Sequence, residues 1–113
     1  MSATVSKLFD TENGSTLRCS CCGRIEIKFR NTPFLVEVSD LPEIQSMLRS
    51  VAEADASPDE VWKVTAQTAR GPVTMHYQQK QLAELSDLVD GTIASLDLDA
   101  LVAGIPGVCA SRR

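Results

Sequence analysis

The chain predicts an α+β fold: an antiparallel sheet from two β-β-α units, with a further edge strand on the N-terminal side and two helices on one face. Three observations carry this expectation. Apolar residues alternate with polar ones through residues 17–38 and again through 62–77, the two-residue period of half-buried strands. Each alternating stretch is followed by apolar residues at three- and four-residue spacing, the stripe of a helix lying on a core. These are Leu41, Ile44, Met47, Leu48 and Val51 in the first case and Leu82, Leu85, Leu88, Val89 and Ile93 in the second. A length of 113 residues, 43% hydrophobic and 23% charged, fits one folded soluble domain spanning 1–113.

Residues 1–14 show no period and end in the turn pair Asn13-Gly14, which reads as a loose arm or a single edge element. Residues 15–53 read as β-β-β-α. A three-residue loop Cys21-Cys22-Gly23 sets Cys19 opposite Ile25 and Leu17 opposite Ile27. A four-residue loop over 30–33 then sets Phe29 opposite Phe34, Ile27 opposite Val36 and Ile25 opposite Val38, so that one apolar face crosses three strands. Asp40 is placed to cap the following helix, with Pro42 in its first turn and Glu43 positioned to bond back to the cap.

After the acidic, proline-bearing connection 54–59, residues 59–95 read as β-β-α. Ser57-Pro58-Asp59-Glu60 and Arg70-Gly71-Pro72 are also helix-opening and helix-ending signals, but the alternation of Trp62, Val64 and Ala66 favours a hairpin. A four-residue loop over 69–72 would pair Thr68 with Val73, Ala66 with Met75 and Val64 with Tyr77. Shifting by 39 positions maps Ile25, Ile27, Phe34, Val36 and Val38 onto Val64, Ala66, Val73, Met75 and Tyr77, a repeated supersecondary unit. Residues 96–113 read as a short capped helix from Asp97 followed by a tail.

The formal net charge of −4 opposes binding to nucleic acid or an anionic membrane, although residues 1–30 carry a local excess of +2. No apolar run reaches the ~18 residues of a membrane helix, and the N-terminus lacks the apolar stretch of an export signal, so a cytoplasmic location is expected. In that setting the four cysteines read as reduced thiols or metal ligands rather than disulfides.

The run Cys21-Cys22-Gly23-Arg24-Ile25-Glu26-Ile27-Lys28-Phe29-Arg30-Asn31, followed by an alternating strand and a short helix, resembles a small bacterial family of unknown function. That family's signature is roughly Cys-x-Cys-Gly-x-Ile-x-Leu-x-Phe-Gly-Asn. The resemblance extends over about residues 17–93, through Val64 to Leu88 in the second half, and differs at Arg30, where the family carries glycine. It implies a stand-alone cytosolic domain, supports strands over 61–68, and supplies no catalytic residue.

Two constellations bear on chemistry. Cys19 and Cys22 form the Cys-x-x-Cys-Gly spacing of a zinc knuckle, which needs further ligands; Cys109 and His76 are the candidates, or a second chain's knuckle. Arg18, Arg24, Lys28 and Arg30 form a candidate basic binding face, but no aromatic residue accompanies them for base stacking. No nucleophile motif, phosphate loop or paired-carboxylate spacing marks an enzyme. The expected function is therefore a non-catalytic interaction or homodimerisation module without a cofactor. A zinc-binding domain is the alternative class, and a single-stranded nucleic-acid binder the third.

Overall fold

The structure, a computed structural model, describes residues 5–19 and 23–103. Strands β1 (Val5–Thr11), β2 (Gly14–Cys19), β3 (Ile25–Phe29) and β4 (Thr32–Val36) lead through a 3-10 turn, Val38–Asp40, into helix α1 (Leu41–Ala52). Strands β5 (Val61–Thr68) and β6 (Gly71–Gln78) then precede helix α2 (Gln79–Ala103). The α+β architecture is as the patterning predicts, with strands rather than a helix over 61–68. The strands are divided between two antiparallel sheets, β1-β2-β3-β4 and β5-β6.

The inner face of the first sheet carries Ile25, Ile27, Phe29 and Val36, and that of the β5-β6 ribbon Val64, Ala66 and Met75. Both join Leu41, Ile44, Leu48 and Val51 of α1 and Leu82, Leu85, Leu88 and Val89 of α2 in one buried cluster. The Tyr77 ring meets Phe29 edge-on, with centroids 5.3 Å apart, and so ties the ribbon to the first sheet across the core.

Register departs from the expected pairing in all three of the hairpins foreseen. In the second, Arg30 and Asn31 both adopt positive φ (49° and 67°), making a two-residue turn of the kind that matches strand twist. Ile25 therefore pairs with Val36 and Ile27 with Phe34, two residues from the expected register but with the same faces. The β5-β6 hairpin is shortened in the same way, pairing Val64 with Met75 and Ala66 with Val73.

Between β2 and β3 the difference is one residue, which exchanges the faces: Thr16 pairs with Ile27 and Leu17 with Glu26. The cause lies in α2, which crosses β2 closely. A Cβ on Gly14 would stand 2.7 Å from Leu88 Cδ2 and 2.8 Å from the Lys28 carbonyl oxygen. Leu17 would be too large for that crossing. Thr16 is completely buried there and meets Thr92 of α2, Oγ1 to Oγ1, at 2.7 Å.

Residues 5–11, read as an arm or edge element, form β1. It docks on α2 through Ser95, whose hydroxyl donates to the Leu8 carbonyl at 2.9 Å. Helix α2 continues through Asp97 to Ala103 in place of the expected break and separate short helix. Asp40 stands at the N-cap of α1, yet its carboxylate accepts from the Glu37 N–H (2.9 Å) and, across the molecule, from the Ala69 N–H (3.0 Å), so it ties the β5-β6 turn to the helix entry. No helix among the described residues is long and apolar enough to cross a membrane.

Candidate functional site

Sequence-predicted ligands come first. Cys19 ends β2, and the Gly23 N–H donates to its carbonyl at 2.7 Å; Gly23 adopts φ 72°, a left-handed position that glycine permits. Cys22 and Cys109 lie outside the described residues. His76 stands exposed on the outer face of the ribbon opposite Lys63, in the other sheet from Cys19. Among the described residues no group of three or more His, Cys, Asp and Glu side chains could hold a metal ion.

The basic constellation is not brought together on one face. Arg18 pairs with the buried Ile25 and so belongs to the inner face at the end of β2, whereas Lys28 lies on the outer face. Arg24 Nε pairs with Glu37 at 3.0 Å. Arg30 sits in the β3-β4 turn, 2.7 Å from Glu84 of α2. Glu84 also accepts from the Asn13 side chain (3.0 Å) and Asp90 from Gln45 (2.7 Å), so these half-exposed carboxylates join elements.

Hollows border the first sheet among the described residues. One of about 690 Å3, lined by both signs of charge, lies between the β1-β2 and β3-β4 turns and includes Asp10, Glu12, Lys28 and Arg30. A smaller one of about 250 Å3 on the outer face is lined by Leu17, Cys19, Arg24, Glu26 and Leu35.

The backbone offers a sharper feature. Each sheet presents two edges without a partner among the described residues: β1 and β4 in the first, β5 and β6 in the second. Strand β1 is interrupted by a register shift between Lys7 and Phe9. Strand β4 carries Pro33, paired with Lys28, and β6 carries Pro72, paired with Gln67.

Proline has no N–H, so each of these must be a pair whose backbone groups point away from one another, and the missing donor falls on the outer edge of β4 and of β6. The same alternation turns the N–H and C=O groups of Val61, Lys63, Thr65 and Gln67 toward the open side of β5. In β3 it turns those of Arg24, Glu26 and Lys28 toward β2. The hydrogen bond from Cys19 N–H to the Arg24 carbonyl, 3.0 Å, belongs to that second ladder.

The two hairpins are the same construction. The 39-residue shift maps the pair Ile25-Val36 onto Val64-Met75, Ile27-Phe34 onto Ala66-Val73, and Pro33 onto Pro72. It also maps Arg24, Glu26 and Lys28 onto Lys63, Thr65 and Gln67. In the first unit these groups are bonded by β2; in the second their counterparts face no strand among the described residues. Comparison with protein-family models, with curated proteins and with solved structures gives no match.

Proposed function

We infer that the chain is a non-catalytic interaction module whose contact element is the open edge of β5, where an extended segment of another chain adds as an antiparallel strand. One observation carries this reading: of the four edges that have no partner strand among the described residues, β5 alone is neither bulged nor interrupted by proline. Its eight residues exceed the five of β4. A row of unpaired N–H and C=O groups is a template for another strand, and backbone hydrogen bonds then supply affinity while alternate side chains supply selectivity. The outer face of β5, with Lys63, Thr65 and Gln67 exposed, leaves those side chains available for selection.

The test is amide exchange on the full chain with a library of extended synthetic peptides as probe. Selected peptides are expected to protect the amides of Val61, Lys63, Thr65 and Gln67. Thr65→Pro, which removes an outward donor and the exposed Thr65–Thr74 hydroxyl bond but no backbone bond within the ribbon, is expected to abolish that protection without unfolding the protein. Protection confined to β1, β4 or β6 would overturn the reading.

A further inference from the structure

The β5 edge is self-complementary in one register. Resting on the strand-addition reading, we propose that its occupant is a second copy of this chain, β5 against β5, antiparallel about a two-fold axis at Val64. In that register Val61 faces Gln67 of the second copy and Lys63 faces Thr65 of the second copy, and the reverse pairs follow by symmetry. All four outward residues of each strand are then used, making about eight backbone hydrogen bonds. A four-stranded antiparallel sheet, β6-β5-β5-β6, replaces two separate ribbons, and each β5 acquires the flanking strand that β3 already has in β2.

Side chains agree with this register on both faces. On the inner face Trp62 meets Ala66 of the second copy, large against small, and Val64 meets itself. On the outer face Lys63 meets a threonine, so no like charges stand directly opposite.

Charge supports it further. Residues 61–78 contain Lys63, Arg70 and His76 but no carboxylate, and they are preceded directly by Asp59 and Glu60. Beyond Val61 the register sets Glu60 of each copy next to Thr68 of the other; the chain turns at 58–59 and at 69–70, and Asp59 is held by Lys80 at 3.1 Å, so Glu60 is the carboxylate that approaches the Arg70 turn. The basic turn of each copy thus lies beside the acidic entry of the other. Residues 59, 60 and 70 are all exposed in the single chain. Val61, with 63% of its surface exposed, would be covered by the added strand.

The experiment combines sedimentation of the full chain over a concentration series with oxidative cross-linking of Val64→Cys. Residues related by the axis form a non-hydrogen-bonded pair with Cα atoms about 4.5 Å apart, within disulfide reach. Mass mapping of the cross-link separates it from the native cysteines. The expected result is a dimer joined through position 64, a dilution-dependent change in the emission of the sole tryptophan, Trp62, and about 100-fold weaker association in Thr65→Pro at unchanged folding.

A chain that stays monomeric at millimolar concentration, while library peptides still protect the four β5 amides, overturns the second copy as occupant and leaves the strand-addition reading standing. Concentration-independent protection of those amides in the monomer overturns the proposal in favour of a segment of the same chain. A dimer whose formation protects other strands or α2 and leaves the β5 amides exchanging overturns both readings.

Discussion

At the residue scale, two positions show how closely α2 lies against the N-terminal hairpin. A Cβ on Gly91 would enter the ring of Phe9, so the glycine inside α2 is the socket for a β1 side chain. Gly91→Ala is therefore expected to lower stability by about 1–3 kcal/mol through overpacking, outweighing the ~1 kcal/mol that alanine gains in a helix interior. Urea unfolding measures the change, and Phe9→Leu in the same chain should recover part of it.

The second position is the buried hydroxyl pair. Thr92 donates to the Leu88 carbonyl at 2.7 Å, which leaves Thr16 as the donor to Thr92. Thr16→Val removes that bond inside the core and is expected to cost about 1–2 kcal/mol. Thr16→Val with Thr92→Val should cost less than the two single changes together, since the pair is then replaced by matched apolar groups.

At the scale of elements, connections are secured by side chains reaching across chain-distant ends. Gln79, buried at the start of α2, donates through Nε2 to the carbonyls of Val51 (2.9 Å) and Ala54 (2.8 Å), a second bond to each beside those from the Ala54 and Ala56 N–H groups, and so ties the start of α2 to the end of α1. Gln79→Leu should destabilise by about 1–2 kcal/mol in thermal or urea unfolding, because it removes two hydrogen bonds between the elements while each carbonyl keeps its backbone donor.

The β3-β4 turn makes the opposite case. Arg30 holds φ 49°, which glycine adopts freely, while its ion pair with Glu84 is partly exposed, at 34% and 40% of the two side chains. The strain relieved and the pair lost are each worth at most about 1 kcal/mol, so Arg30→Gly is expected to change stability by less than ~1 kcal/mol. The turn geometry accommodates either residue.

At the scale of the whole molecule, the fold is a doubled β-β-α unit with unequal completion. The first hairpin is flanked by β2 and, beyond it, by β1, while the second stands as a two-stranded ribbon held by its inner face and by the Asp40 carboxylate at its turn. Two-stranded sheets are marginal by themselves. Native-state hydrogen exchange is therefore expected to show the β5-β6 amides opening at lower free energy than those of β2 and β3 in the dilute chain. Protection of β5 equal to that of β3 under dilute conditions would contradict this picture.

Much of the architecture was legible in the chain because apolar periodicity depends only on which residues must leave water. The alternation of Ile25, Ile27 and Phe29 and of Val64 and Ala66, the stripes of α1 and of the first turns of α2, and the 39-residue correspondence all follow from that requirement. Turn lengths were not legible, because a two-residue turn at Arg30-Asn31 needs positive φ at residues that do not advertise it as glycine would. The face of β2 was not legible either: Leu17 and Cys19 look apolar, but α2 crosses too close for leucine and selects Gly14 and Thr16 instead.

The candidate site divides in the same way. Pro33 and Pro72 read from the residues as loop positions, in 30–33 and 69–72; the tighter two-residue turns place them in β4 and β6 instead, where proline is accommodated because its missing donor falls on an outer edge. Which edge stays open, and the dispersal of Arg18, Arg24, Lys28 and Arg30, depended on the register between strands and on ion pairs to α2. Local sequence thus determined the elements and their buried faces through hydrophobic period. Only the tertiary structure decided their register, their division into two sheets and the exposed edge of β5, because these rest on close packing and backbone pairing between residues far apart in the chain.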